Sequence, residues 1–194
     1  MAVSDSSEGA RPGVSLAALD RRGFQPGRSR LVQALWMFAE ALVFLNPLVT
    51  SYSLKRWVLR RFGAQVGPGV IIKPGVHIKY PWSLSIGADS WIGERSWIDN
   101  LARVEIGANA CISQGSYLCT GNHDWSDRRM GLIVKPIVVE DEAWVGAFVK
   151  VGPGVTVGRL AVITIGSVLV ASASPDGVYS GNPAQRVGER RIKA

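Results

Sequence analysis

The sequence predicts an all-β fold, a parallel β-helix of about five coils, on three observations. Aliphatic residues recur every sixth position from residue 66: Val66, Ile72, Ile78; Ile86, Ile92, Ile98; Ile106, Ile112, Leu118; then Val139, Val145, Val151, Val157, Ile163 and Leu169. Four positions after these fifteen anchors stands a Ser, Thr, Ala or Val in thirteen cases, Trp82 and Asn122 excepted, and the next residue after the anchor is Gly, Asp or Glu in nine. The steps longer than six, from 78 to 86, 98 to 106 and 118 to 139, each follow three anchors. A helix wants apolar residues at i, i+3, i+4 and i+7 and an alternating strand a period of two; a period of six with turn formers inside it fits a solenoid of short flat faces meeting at tight corners. Three hexapeptides then make one coil, with the anchor and the small residue at i+4 pointing inward. The fifteen anchors make five coils, about 24 Å tall at ~4.8 Å each. All three insertions leave at the same corner, and the long third one, 120–138, is where a rigid scaffold is expected to carry function.

The elements follow in order. Residues 1–28 are rich in Gly, Pro, Arg and Ser and read as an extended arm. Residues 29–63 read as a helical flank. Leu31 to Leu45 is an apolar run whose interior polar residues, Gln33 and Glu40, are seven apart and share a face. Asn46 is expected to end that helix and cap the next, with Pro47 at its first position and Gly63 closing it. On the second helix Leu54, Val58 and Phe62 line one side, Arg56 and Arg60 the other. Residues 64–175 are the repeat, and 176–194 a C-terminal segment.

The formal charge is +7 over 194 residues. Residues 1–65 carry a net +5 and 186–194 a net +3, whereas 66–185 hold nine basic and ten acidic residues. Charge confined to the two ends argues against nucleic acid and for a membrane surface, a subunit contact or phosphate groups. The run Leu31–Leu45 is short of the roughly 20 residues of a spanning helix. Two cysteines, Cys111 and Cys119, make no disulfide framework, and with no apolar leader pattern at the start a reducing, cytoplasmic setting is expected. Both flank repeat anchors and lie in no nucleophile motif. With two histidines in the whole chain, His77 and His123, a three-histidine zinc site is excluded and no metal is expected. His77 reads as a surface residue of the repeat, whereas His123 stands at the root of the long insertion, between Asn122 and Asp124.

The repeat resembles that of the hexapeptide-repeat acyltransferases, over roughly residues 62–188. Within that superfamily Lys79-Tyr80-Pro81-Trp82 and Thr120-Gly121-Asn122-His123-Asp124 resemble the O-acetyltransferases of exopolysaccharide biosynthesis of the colanic acid type. The resemblance implies a left-handed β-helix, against the usual right-handed crossover, a homotrimer with sites between subunits, and acetyl-CoA as co-substrate. It implies that His123 takes the proton of a sugar hydroxyl as that oxygen attacks the thioester. Asp99, Asp124 and Asp127 are candidates to orient the imidazole. The segment from Ala143-Trp144-Val145-Gly146-Ala147 to Gly158 is similar to the stretch that lines the pantetheine arm, with backbone amides for the oxyanion and Trp144 excluding water. Gly181-Asn182-Pro183-Ala184 resembles the family's C-terminal signature, followed by Arg186, Arg190 and Arg191, which are suited to phosphates. The family's Gly-Ala-Gly-Ser, followed by Thr-Lys, is here Thr164-Ile165-Gly166-Ser167 without the lysine.

The cofactor set expected is therefore Trp144, Gly146, Ala147, Ile165, Gly166, Ser167, Asn182 and Arg186, with Trp82, Asp99, Asn100, Asn122 and Trp125 toward the acceptor. The function expected is O-acetyl transfer to a sugar hydroxyl of an exopolysaccharide precursor, free or lipid-linked. A small free sugar or xenobiotic acceptor and a non-catalytic hexapeptide scaffold are the alternatives. Residues 29–62 are expected to touch either the prism, a neighbouring subunit or the inner face of a membrane.

Overall fold

In the computed structural model, which describes residues 13–20 and 24–193, the repeat winds into a three-sided prism. The first face holds Gln65–Val66, Leu84–Ile86, Val104–Ile106, Ile137–Val139 and Thr156–Val157. The second holds Ile71–Ile72, Trp91–Ile92, Cys111–Ile112, Trp144–Val145 and Val162–Ile163, and the third His77–Ile78, Trp97–Asp99, Tyr117–Cys119, Lys150–Val151 and Val168–Leu169. Strands within each face pair in parallel, one coil above the next, so that anchors stack on anchors: Ile72 on Ile92, Ile92 on Ile112, Ile112 on Val145, Val145 on Ile163.

The fifteen anchors are all buried, as are twelve of the thirteen small residues four positions on; Ala102 alone is half-buried. Burying a large residue opposite a small one lets each corner close over a continuous apolar axis. Gly67 shows how tight that closure is, for a Cβ there would stand 2.6 Å from the amide nitrogen of Ala88 in the next coil.

A sixth, incomplete coil lies beyond the five expected. Ala173 bridges to Val157, and Tyr179 pairs with Ile163. The step into it, from Leu169 to Ala173, is only four residues, which hides it from a period of six. Strand Gly177–Gly181 then turns back antiparallel into Ala184–Glu189, so the second-face sheet continues past residue 175.

The flank closes the other end. Helix α1 (Arg30–Val43) starts at Ser29, whose hydroxyl accepts from the Val32 amide, and helix α2 (Tyr52–Arg61) at Ser51, whose hydroxyl accepts from Leu54. The second start is a correction: Asn46 instead turns its carboxamide oxygen to the Leu48 amide, and Pro47 precedes the helix by five residues. Gly63 ends α2 with a positive φ of 95°, as expected of a left-handed stop.

The packed side of α2 is also not the one expected. Lys55, Val58 and Leu59 are buried while Leu54 is exposed. The reason is the solenoid's open edge, where the first coil has no strand beneath it to bond its carbonyls. Lys55 Nζ donates to Ile72 O at 3.1 Å, Arg56 to Val70 O at 2.8 Å, and Arg60 to Val66 O at 2.6 and 2.9 Å and to Gly67 O at 3.1 Å. Burial, then the nearby Lys73, pull the Lys55 ammonium below its ordinary pKa. From α1, the Trp36 indole donates to Ile78 O at 2.8 Å and the buried Glu40 accepts from the Ile78 amide at 2.6 Å.

Residues 13–20 do not form a free arm. They hold a short 3-10 turn, Leu16–Ala18, strapped to the long insertion, with Ser15 N donating to Arg128 O and Asp20 N to Arg129 O, each at 3.0 Å. Residues 24–28 run past Tyr80 and Trp82, where the Pro26 carbonyl accepts from the Trp82 indole at 2.5 Å. The rest of the expected arm, 1–12 and 21–23, lies outside the described residues. Among the described residues no helix is long and apolar enough to cross a membrane.

Candidate active site

The three insertions leave the prism at one edge, between the third face and the first, and there they stack. Asn100 donates to Tyr80 O at 2.6 Å and accepts from Tyr80 N at 2.9 Å; above it the Thr120 hydroxyl donates to Asp99 O at 2.8 Å and accepts from Ala102 N at 3.0 Å. This corrects the expectation for Asn100: it is fully buried, its amide is spent on the coil below, and it offers nothing to an acceptor. Trp82 likewise holds the 24–28 segment, its ring 5.0 Å from that of Tyr80. Asp99 lies on the third face, nearly buried, accepting from the Tyr117 hydroxyl at 2.9 Å and paired with Lys79 at 3.1 Å.

From Thr120 the chain runs into an antiparallel hairpin, Gly121–His123 against Leu132–Val134, with His123 opposite Leu132. The turn between them is built on Asp124, whose carboxylate accepts from the Ser126 amide at 3.0 Å, and Asp127, which accepts from the Arg129 amide at 3.0 Å. The Ser126 hydroxyl and amide hold Asp124 below its ordinary pKa.

His123, half-buried, places Nδ1 2.8 Å from the carbonyl oxygen of Met130. A carbonyl only accepts, so Nδ1 carries the hydrogen, which in the neutral ring leaves the lone pair on Nε2. Met130 has φ +45°, the left-handed bend that brings its carbonyl round to the ring. The hydrogen bond that the imidazole makes among the described residues is to this backbone carbonyl, and none is formed with Asp99, Asp124 or Asp127. Asn122 accepts from the His123 amide at 2.8 Å, and Trp125 stands 83% exposed at the hairpin tip.

A second feature lies at a different edge, between the second face and the third. A cleft of about 390 Å³ is lined by Trp144, Gly146, Ala147 and Ile165 together with Ser113, Gln114 and Thr164. Four of the residues expected at the coenzyme thus share one concavity. The Trp144 indole is steered by the Ser113 hydroxyl at 2.9 Å. Gly146 is required by the coil stacking, since a Cβ there would meet the Ile163 carbonyl at 2.6 Å, and its own amide is spent on that oxygen at 2.8 Å. The Ala147 amide, by contrast, has no acceptor among the described residues.

Gly166 bends beside the cleft with φ +70°, while Ser167 is buried, its hydroxyl accepting from the Gly181 amide at 3.1 Å. Asn182 is exposed just beyond, preceding a cis proline. Arg186 is exposed near Glu189 at 3.5 Å, and Arg190 is spent on the carbonyls of Glu142 and Leu160 at 2.8 and 3.3 Å.

The remaining reactive side chains sit elsewhere. Burial raises the Cys111 thiol pKa, opposite to what a thiolate nucleophile needs. His77 is not a free surface residue: its Nδ1 lies 2.8 Å from the buried Glu40 carboxylate. Among the described residues no cluster of three His, Cys, Asp or Glu could hold a metal ion.

The chain is 38% identical over 169 residues to the Escherichia coli (strain K12) protein named for colanic acid biosynthesis acetyltransferase activity, WcaF, an alignment covering 87% of this chain and 92% of that protein. The chain belongs to the hexapeptide-repeat acetyltransferases. No family model matches it. Nodulation protein L of Rhizobium meliloti (strain 1021) is 33% identical over 138 residues, covering 69% of this chain and 75% of that one. Among solved structures, a hexapeptide-repeat acetyltransferase of Vibrio cholerae superposes with a TM-score of 0.75 at 25% identity, over 84% of this chain and 95% of that one. A galactoside acetyltransferase in complex with coenzyme A superposes with a TM-score of 0.72 at 26% identity, over 82% and 80%. The prism is the left-handed β-helix of this acetyltransferase family, and the protein is an acetyl-CoA-dependent acyltransferase.

Proposed function

We propose that this acetyltransferase moves the acetyl group of acetyl-CoA to a sugar hydroxyl of an exopolysaccharide precursor, with His123 as general base, in a trimer whose sites lie between subunits. The observation that carries the base assignment is the Nδ1 contact to Met130 O, which leaves Nε2 free to accept a proton. As the hydroxyl oxygen forms its bond to the thioester carbonyl carbon, its proton passes to Nε2. The tetrahedral intermediate then collapses, the C–S bond breaks, and the imidazolium returns the proton to the departing thiolate.

The cleft suits the pantetheine arm and thioester of acetyl-CoA, being narrow and largely apolar. The Ala147 amide is placed to receive the oxyanion, and Trp144 and Ile165 keep water out. The nucleotide end would lie beyond it, toward Gly166, Asn182 and Arg186. The third face separates cleft and His123, with Gln114 and Thr120 up to roughly 20 Å apart along extended chain. One chain therefore presents each half of a site at a different edge, which supports a site completed by a neighbour.

The likeness to a protein named for colanic acid biosynthesis supports a saccharide of an exopolysaccharide as acceptor. A thiol-release assay with acetyl-CoA and nucleotide-linked or lipid-linked sugars tests the reading. Turnover should depend on a sugar and fall ~10²–10⁴-fold in His123→Ala with the KM for acetyl-CoA little changed. Equal turnover in that variant would remove His123 from the chemistry.

A further inference from the structure

Helix α1 has two apolar faces. One is docked through Trp36, Glu40 and Phe44. On the opposite side Leu31, Leu35, Phe38 and Leu42 form a stripe about 60° wide at ~100° per residue, and all are exposed, as is Leu45 just past the helix end, Leu31 and Phe38 by 69% and 66%. Leu48 beyond the helix is 86% exposed, and Trp57 on α2 59%. A helix apolar on both sides is normally covered on both.

The charge around the stripe says by what. From residue 24 to residue 88 the chain has eight basic residues and a single acid, Glu40. That acid is buried and faces His77 and the Ile78 amide. Lys55, Arg56 and Arg60 donate to the first coil's carbonyls, Lys73 lies over the Trp91 ring at 4.8 Å, and Lys79 pairs with Asp99. Arg28, Arg30 and Arg61 are exposed with no ion-pair partner among the described residues. The exposed carboxylates Asp89 and Glu94 of the second coil lie at its rim, Asp89 against Gly69 and Glu94 beside Arg95 on a cleft shared with Leu45 and Pro47. The balance at this end of the prism is still grease and positive charge, so two copies meeting here would set mostly cation against cation.

We propose that this face is a docking surface for an anionic phospholipid bilayer, with α1 lying in the plane of the interface and its leucine stripe seated among the acyl chains. Lys55, Arg56 and Arg60 of α2 are not the anchor themselves, since their side chains are turned to the coil edge, and only Arg61 of that helix is free to face the surface. They supply field, while insertion belongs to Leu31, Leu35, Phe38 and Leu42. At 14 residues, α1 is about 21 Å long. That is enough to lie along the surface.

The test is flotation of the full chain with vesicles of phosphatidylcholine alone or with phosphatidylglycerol, for the native protein and for Leu35→Ser/Phe38→Ser/Leu42→Ser, with thiol release and assembly size measured on both. The expected result is binding to the anionic vesicles, weakened by salt, and at least a tenfold loss in the triple variant with turnover and assembly unchanged. Absence of vesicle binding by the native protein overturns the proposal. So does a variant whose assembly falls apart, which would make the stripe a contact between copies. Unaltered flotation by an intact variant would equally overturn it.

Discussion

If the hairpin histidine and the thioester cleft belong to different subunits, two dead variants should rescue each other. Take His123→Ala, which removes the base, and Ala147→Trp, which fills the 390 Å³ cleft beside Trp144 and Ile165. Each alone should be inactive to within ~1% of native. In a ring assembled at random from equal amounts, a site works only where an intact His123 from one variant meets an intact cleft from the other. Each junction draws the required pair with a probability of about one quarter, whatever the ring size. Co-expression with two affinity tags, tandem purification and a thiol-release assay should therefore return about 25% of native turnover, corrected for the enrichment in mixed rings. Activity staying at the level of the parents, in mixed rings shown to be intact by mass, would refute the argument and put both halves within one chain.

Three further outcomes follow from the packing. Arg60→Ala should cost about 1–2 kcal/mol, because it strips the carbonyls of Val66 and Gly67 of their donors, while Arg61→Ala should change stability by less than ~0.5 kcal/mol; urea denaturation separates them. Gly67→Ala should lower the melting temperature by ~5 °C or more, since its Cβ would sit 2.6 Å from the Ala88 amide with only backbone to give way. For His77, the hydrogen bond to Glu40 outweighs burial and lifts the imidazole above its ordinary 6.5. A raised folded-state value means the stabilisation is whole below that ordinary value and lost as pH rises through the folded one. The margin in melting temperature of native protein over His77→Gln should accordingly shrink as pH rises above 6.5, and a margin that grew would reverse the sign of the interaction.

The repeat was legible because one inward residue in six is a strong physical demand, and every anchor from Val66 to Leu169 meets it in a buried position. The shared corner of the three insertions followed from the same counting. Four of the residues expected at the coenzyme converge on one cleft, whereas Ser113 and Gln114 were not legible in the local run: they reach the cleft only because coils stack. The partner of His123 is a backbone carbonyl, which no residue type announces; of the three candidate aspartates, Asp124 and Asp127 build the turn instead and Asp99 is engaged by Tyr117 and Lys79. Arg56 and Arg60 read as the side of the second helix opposite its apolar Leu54, Val58 and Phe62, with Lys55 assigned to neither side. Only the edge of the first coil, which sequence does not display, explains why they point inward. The sixth coil was hidden by a shortened step and by Tyr179 in place of an aliphatic anchor.

That first coil has a meaning for the protein's solubility. Its strands Gln65–Val66, Ile71–Ile72 and His77–Ile78 are edge strands of their sheets, and the groups they would offer to another coil are engaged by α1 and α2. A bare edge in this register is a template on which a second prism could add end to end at the ~4.8 Å spacing of cross-β fibres. The two helices act as a chain stopper, ending growth at one molecule's height.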